Sequence, residues 1–538
     1  MRGRGACRGP VAFQLFARVP SIAGEFVMSH TNDAPQKVIP LGIYLEGIKR
    51  QGILISSVGV ESCREVRFAT DDSRSVVDDT LFVCKGAAFK RDYLLSAIDA
   101  GAVSYVSEVD YGVDVPCILV SDIRIALGVL ADIAYGHPSG SVSVCAFTGT
   151  KGKTTSVYYL KGILDAQASL DGVHPAAVLS SILLDDGVHS GISKLTTPEA
   201  FELERHFANA AAVGCKHVVM EASSQALKYK RTFGVEFAAG VFTNIGEDHI
   251  SPIEHPDFED YFSSKLKLFD SCRVAVVNLD MDHAERVLEA AKVCERTLTY
   301  SLADDAADVY CEKIEHGGDG IRATVRTPRF TREVLIPTPV TFNVANALGA
   351  IAAAEAMGLD EEAIVRGFKD VRVPGRMELY PTEGGSILGV VDFAHNGMSL
   401  ETMLLDLRES YPDRELVVVF GATGGKGVDR RETMGSAAGK YADRIVITED
   451  DPGPEDPADI CDAIARAAKA EGLDRMRIVL DREEAIRTAV RETERPAIVI
   501  VTGKGHETRM LRRKGAEPCE ADGVMLRRAL DDFESGVI

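Results

Sequence analysis

The sequence predicts an α/β protein built on mostly parallel sheets and divided into three parts. Two observations carry this. Short apolar, β-branched runs alternate with amphipathic stretches along most of the chain. The alternation is also interrupted twice by turn formers, at 135–140 (YGHPSG) and 371–375 (VRVPG). The expected parts are therefore 28–140, 141–371 and 372–538, and 538 residues suit three or four domains at roughly 150 residues each.

Taken in order, the runs 141–147 (SVSVCAF), 216–220, 239–243 and 273–278 read as buried strands, followed by 416–420, 444–448 and 497–501. Apolar residues spaced three to four apart predict helices over 154–166, 198–212, 343–356 and 456–470.

Composition narrows the function classes. Hydrophobic residues make up 46% and charged residues 26%, which suits a globular chain and not a disordered or collagen-like one. With 60 Lys+Arg against 81 Asp+Glu, the net charge is −21, which argues against a nucleic-acid binder. Anionic small ligands stay open, since local loops hold those. The 11 cysteines include no C-x-x-C pair, which fits reduced thiols in a cytoplasm. No run approaches the ~18 apolar residues of a membrane span, so no membrane insertion is expected. Residues 1–27 carry four arginines before the first acid, Glu25. A transit peptide would look like this; the expectation is an upstream start, with Met28 as the true one.

The chemistry-bearing segments begin at 148–155 (TGTKGKTT), directly after a predicted strand and opening a predicted helix. Gly149, Thr150, Lys151, Gly152, Lys153, Thr154 and Thr155 form a short phosphate-binding loop. Glycines let the backbone wrap a phosphate, Lys153 reaches the β/γ-phosphates, and Thr154 offers a hydroxyl to Mg²⁺. The strict longer spacing would need glycine where Phe147 stands. Glu221 ends the strand-like 218–221 run, where a carboxylate can hold Mg²⁺ beside the phosphates. His249 follows another strand-like run and is a metal-ligand candidate, or a packed or surface imidazole. By helix spacing Lys265 is a solvated lysine, with nothing local to separate it from Lys267. The last third adds glycine-rich or polar loops after β-type runs, at 375–378, 392–395, 421–431, 450–453 and 503–507, which together suggest a binding face.

In order, TGTKGKTT, TTP (196–198), MEASS, FTN…DH, Y-x-x-x-K-x-x-x-F, FN-x-x-N (342–346), GRME, DFAH and GKGHE resemble the Mur ligase family from about residue 40 to the end. The resemblance is closest to members that add the third residue of the peptidoglycan stem peptide. It implies a UDP-sugar-binding first domain, a central P-loop-type ATPase domain and a C-terminal Rossmann-like domain receiving an amino acid. The implied substrates are UDP-MurNAc-L-Ala-D-Glu, ATP and a diamino acid, with Mg²⁺ as cofactor; a monomer is expected.

Residue by residue, the resemblance implies Lys153, Glu221, His249 and Lys265 as catalytic. Thr154, Glu221, His249 and a carbamylated Lys265 would serve Mg²⁺. Asn343, Arg376 and Asp392 would contact ATP. Ser73, Thr196, Thr197, Ser223 and Arg231 would contact the UDP-sugar dipeptide. Arg431, Asp450, Asp451, Pro452, Gly453, Gly503 and Glu507 would receive the amino acid. Gln225 stands where many relatives have His.

One departure bears on specificity. Relatives that add meso-diaminopimelate carry Asn-Pro-Arg where this chain has Asp451-Pro452-Gly453. That substrate ends in a second carboxylate, which an arginine fork answers. Gly453 brings no cation, and Asp450 and Asp451 leave acid nearby, which suits the ammonium of L-lysine. Meso-diaminopimelate, through Arg431, and L-ornithine stay open. Other readings are a folylpolyglutamate-synthase-like ligase, a non-catalytic nucleotide-gated scaffold and a P-loop phosphohydrolase.

Overall fold

The computed structural model describes residues 33–538 except 87, 249, 252, 253, 426 and 495. His249 and the 1–27 extension therefore lie outside the described residues.

The 141–147 run becomes strand Ser143–Thr148, at the centre of an eleven-stranded sheet. His217–Glu221 and Phe237–Phe242 flank it, both parallel. Both faces of the central strand are covered, so its residues are apolar without alternation. Cys145 and Phe147 pack beneath helices Lys153–Asp171 and Phe342–Ala356, which contribute Leu160, Ile163, Leu348 and Ile351. Val144 and Ala146 pack on the opposite side with Phe207 and Phe262, from helices Ala200–Val213 and Phe258–Leu266. The helix expected over 154–166 runs on to Asp171, where Gly172 in the left-handed conformation ends it.

The far edge of this sheet departs from the sequence expectation. Val309–Gly317, Gly320–Arg326 and Thr331–Ile336 form an antiparallel meander. Their charged, half-exposed faces hide the apolar run that marks a buried parallel strand. The N-terminal part holds a separate five-stranded sheet, from Leu54–Val58 to Phe68–Thr70.

The last part is a six-stranded sheet. Parallel strands Ile387–Asp392, Ala497–Thr502, Glu415–Phe420, Arg444–Ile447 and Met476–Ile478 lie side by side in that order, with Glu378–Pro381 antiparallel at the edge. Helices Gly397–Ser410, Asp429–Tyr441 and Pro457–Ala470 cover one face, and Arg482–Arg491 and Asp522–Glu534 the other. Ala497–Thr502 is last in sequence among these strands yet inserts between the first two. Ligands gather beyond strand carboxyl ends at such a reversal.

Candidate active site

The loop from Ser143–Thr148 into helix Lys153–Asp171 requires glycine at two positions. Gly149 has φ +147° and Gly152 φ +81°. A Cβ on Gly149 would fall 2.0 Å from Thr243 Oγ1, and one on Gly152 2.2 Å from Asn346 Oδ1. The neighbouring strand's exit loop locks this arrangement. Thr243 Oγ1 donates to Lys151 O (2.8 Å), and Asn244 Oδ1 accepts from Lys151 N (2.8 Å). Thr243 and Asn244 appear in the sequence only inside FTN. Their place after a buried run next to the loop strand was the available signal. Lys153 Nζ donates to Gly149 O (2.8 Å) and Thr150 O (3.1 Å), so its ammonium lies over the loop. Burial pulls its pKa down.

Glu221 ends its strand against the helix start. Its Oε1 accepts from Thr154 Oγ1 (2.9 Å), Ser181 N (2.8 Å) and Ser181 Oγ (3.0 Å). A hydroxyl and a carboxylate side by side are hard oxygen donors, the type Mg²⁺ takes together with phosphate oxygens and water. The residues present therefore fit the ion. Among the described residues no group of three or more His, Cys, Asp or Glu side chains forms a cation cage. Ser181 carries no motif, and sequence reasoning missed it.

The structure separates Lys265 from Lys267. Lys265 is 1% exposed, its Nζ donates to Gly149 O at 2.7 Å, and it lies 4.6 Å from the Tyr261 ring centre. Lys267 is exposed. Helix Phe258–Leu266 turns Tyr261, Phe262 and Lys265 inward together. Burial, reinforced by the nearby Lys153 charge, pushes the Lys265 pKa well below the ordinary lysine range. The solvated reading of Lys265 is thereby corrected.

A cleft of about 970 Å³ opens in front of the loop. One side carries Lys153, Asn343 and Asn346; the other carries Arg376, Asp392 and Phe393 from the last part of the chain. Arg376 stacks its guanidinium 4.6 Å from the Phe393 ring centre. Asp392 accepts from Met377 N (3.0 Å) and Ala394 N (2.7 Å), while burial raises its pKa. Two contacts join the cleft walls. Lys151 Nζ donates to Ser399 Oγ, and Asp406 accepts from Thr341 N (2.9 Å) and Phe342 N (3.1 Å) at the start of helix Phe342–Ala356.

The sugar-dipeptide candidates divide. Thr196 lines the cleft. Thr197 is fully buried, donates to Glu221 O (2.9 Å) and accepts from Ser223 N (3.0 Å). Ser223 Oγ caps the short helix Ser224–Lys228 through Ala226 N (3.2 Å). Arg231 donates to Thr197 O (3.1 Å) and pairs with Glu199 (2.8 Å), which also holds Lys85 (2.9 Å). Ser73 starts a 3₁₀ turn after strand Phe68–Thr70, outside this cleft.

The amino-acid candidates form a second cluster, also outside the cleft lining, at the carboxyl ends of Arg444–Ile447 and Ala497–Thr502. Asp450 is 5% exposed, and burial raises its pKa to about 6 despite Arg482 and Lys504 nearby. A Cβ on Gly503 would fall 2.1 Å from Asp450 Oδ2, so that position must be glycine. Asp451 and Gly453 both have positive φ, +44° and +60°. Asp451 is not alone: Lys504 Nζ bridges Asp451 Oδ1 (2.9 Å) and Glu507 Oε2 (2.5 Å). Arg431 pairs with Glu455 at 2.8 Å.

A phosphate loop facing a Rossmann-like sheet across a cleft defines a class of ATP-using ligase, and comparison with known proteins agrees. The Mur ligase middle domain matches residues 147–354, and the Mur ligase glutamate ligase domain matches 375–505. The chain belongs to the Mur ligase family and is a ligase of that family. A Streptococcus thermophilus protein named UDP-N-acetylmuramoyl-L-alanyl-D-glutamate–L-lysine ligase is 38% identical over 442 residues, covering 81% of this chain and 86% of its own. The Enterococcus faecalis protein of the same name is 39% identical over 449 residues, covering 82% and 87%. A solved UDP-N-acetylmuramoyl-L-alanyl-D-glutamate–2,6-diaminopimelate ligase superposes with TM-score 0.69 at 26% identity, covering 93% of this chain and 100% of that one. Mycobacterium tuberculosis folylpolyglutamate synthase complexed with ADP shares the fold, with TM-score 0.54 at 19% identity over 71% of this chain and 91% of its own. The three-domain α/β expectation agrees with these neighbours. Among the described residues no helix is long and apolar enough to cross a membrane.

Proposed function

We propose that this ligase joins L-lysine to the D-glutamate of UDP-MurNAc-L-Ala-D-Glu at the expense of ATP. The carrying observation is the 450–453 loop, where Gly453 offers no cation for a distal carboxylate and the partly open carboxylates of Asp451 and Glu507 outnumber Lys504. The names of the streptococcal and enterococcal relatives support the same substrates. The three parts 28–140, 141–371 and 372–538 would serve the UDP sugar, ATP and the amino acid in turn. The enzyme would act as a monomer in the cytoplasm.

Chemically, the D-glutamate side-chain carboxylate attacks the γ-phosphorus, the bond to ADP breaks, and an acyl phosphate results. The free amine of lysine then adds to the carbonyl carbon, and phosphate leaves. Phosphoryl transfer needs positioning and charge stabilisation. The loop amides and helix start cradle the phosphates, and Lys153 turns from its own loop carbonyls to the γ-phosphate. Thr154 and Glu221 would hold Mg²⁺, which when bound neutralises phosphate charge. Lys265, buried and pushed toward its neutral amine, is in the form that adds CO₂. A nitrogen–carbon bond forms, one proton is lost, and the carbamate presents anionic oxygens. The family resemblance implies His249 as a further ligand to Mg²⁺.

Arg431 is the observation that keeps a diaminopimelate reading in view, since its Nε is buried without a partner among the described residues. The test is phosphate release from ATP with UDP-MurNAc-L-Ala-D-Glu, run separately with L-lysine, meso-diaminopimelate and L-ornithine, with product masses measured. Tripeptide with L-lysine supports the proposal. Tripeptide with meso-diaminopimelate alone overturns the lysine assignment, and ATP turnover without any amino acid favours a hydrolase.

A further inference from the structure

Charges around the 450–453 loop pair off with one exception. Arg482 holds Asp522 through two bonds (2.7 and 2.8 Å), Arg512 holds Glu449 and Glu517, and Arg431 holds Glu455. Asp450, Asp451 and Glu507 remain: Asp450 lies near both Arg482 and Lys504, while Asp451 and Glu507 are two carboxylates that share the single ammonium of Lys504. Lys504 is 2% exposed and approaches from beneath, whereas the side chains of Asp451 and Glu507 keep 26% and 39% of their surface open. Asp451 Oδ1 is fixed further by Leu511 N (2.7 Å), from the hairpin Arg509–Arg512/Gly515–Pro518. The Glu507 carboxylate has no such backbone tie among the described residues, so Lys504 is what draws it toward Asp451.

We propose that Lys504 is a positioning residue for amino-acid selection: its buried ammonium clamps Asp451 and Glu507 side by side, so that their open edges seat one further ammonium, that of the substrate side chain. The inference rests on the ligase reading above and deepens it. Two carboxylates without the clamp repel each other, and Glu507, the more exposed, swings to solvent. The seat disperses even though a like charge has been removed. Gly503 and Gly505, at φ +109° and +57°, give the backbone the turn that buries Lys504.

The test uses the full chain with Lys504→Met, similar in length and uncharged. Steady-state constants are measured for L-lysine, for L-norleucine (the same chain length without the ammonium) and for ATP. The clamp predicts a lysine KM raised about tenfold or more, as for loss of a charge-assisted contact. It predicts kcat/KM for norleucine and KM for ATP within about twofold of the wild type. An equal loss for lysine and norleucine overturns the proposal in favour of a merely structural lysine. An unchanged or lowered lysine KM overturns it too, the latter by showing that Lys504 competes with substrate. Should Lys504→Met not melt cooperatively, Asp451→Asn carries the test. It keeps the left-handed backbone and an acceptor for Leu511 N, and must raise the lysine KM selectively; otherwise the seat is wrong. Wild-type enzyme with no lysine-dependent turnover would instead refute the lysine assignment itself.

Discussion

Removing the Asp406 carboxylate should loosen the nucleotide cleft. Helix Phe342–Ala356 carries Asn343 and Asn346 into that cleft, yet its own N-cap, Thr341, makes no capping bond. Asp406, on helix Gly397–Ser410 of the last part, accepts from Thr341 N (2.9 Å) and Phe342 N (3.1 Å) in its place. It thus caps a helix in one wall from the opposite wall, and the cap exists only while the walls are docked. Loss of an N-cap costs about 1 kcal/mol, and loss of a negative charge at a helix start about 0.3–1 kcal/mol more. Water reaches this edge and recovers part of that. The net for Asp406→Ala is about 1–2 kcal/mol, or roughly five- to thirty-fold in the docking equilibrium. On the proposed reading, in which nucleotide meets both walls, apparent ATP affinity falls by a similar factor. Asp406→Asn keeps one acceptor and should lose about half that free energy. ATP KM in the phosphate-release assay, with a thermal melt alongside, measures both variants. An ATP KM within about twofold of the wild type, in a protein that melts cooperatively, refutes the cross-wall cap as a source of nucleotide affinity.

Three further outcomes are expected. Lys265→Ala should bind nucleotide yet lose nearly all ligation and regain part of it with added short carboxylates; wild-type turnover in this variant would remove Lys265 from the metal site. Gly453 has φ +60°, and a Cβ placed on it would meet no atom nearer than 4.0 Å, so any side chain there strains the backbone by about 1 kcal/mol without a clash. Gly453→Ala therefore isolates strain, and Gly453→Arg should lower kcat/KM for lysine by about a further tenfold through its cation; equal values for the two variants would remove the charge argument. Finally, burial works to raise the Asp186 carboxyl, but His206 (2.6 Å), His189 N (2.7 Å) and Asn209 (2.9 Å) outweigh it and hold its pKa at about 2, below the usual 3.8. A depressed carboxylate stabilises the fold above its unfolded pKa and loses that contribution as pH falls toward the folded value. The Tm deficit of Asp186→Asn should accordingly be full near about pH 6 and narrow toward about pH 2. A pH-independent deficit would assign it to packing alone.

Much of the fold was readable along the chain, because burial on both faces of a parallel strand leaves a local record. The apolar runs at 141–147, 216–220 and 497–501 became central strands shifted by a residue or two. The meander 309–336 escaped notice because its half-exposed antiparallel strands interleave charged residues such as Glu312, Lys313, Arg322 and Glu333 with the apolar ones, so no continuous apolar run forms. The phosphate loop was readable for a related reason. Gly149 and Gly152 occupy backbone conformations that other residues avoid, so chemistry and position coincide in the sequence.

Residue type and order alone determined the phosphate loop, the carboxylate at the end of the neighbouring strand, the absence of an arginine at Gly453 and the family resemblance. Only the tertiary structure decided which polar groups are free to act. Lys265 and Lys267 are two residues apart on one amphipathic segment, and it is the covering strands and loop that bury the first and leave the second in water. Asp451 reads from the sequence as nearby acid, and only the structure shows that a lysine 53 positions away is bonded to it. Thr197 and Ser223 are read from sequence as ligand contacts, and only the structure shows that each is also bonded to backbone. Strand and turn preferences are local energies that a short window records. Desolvation and ion pairing depend on which distant surfaces close over a group, and those arise only when the sheets and loops are assembled.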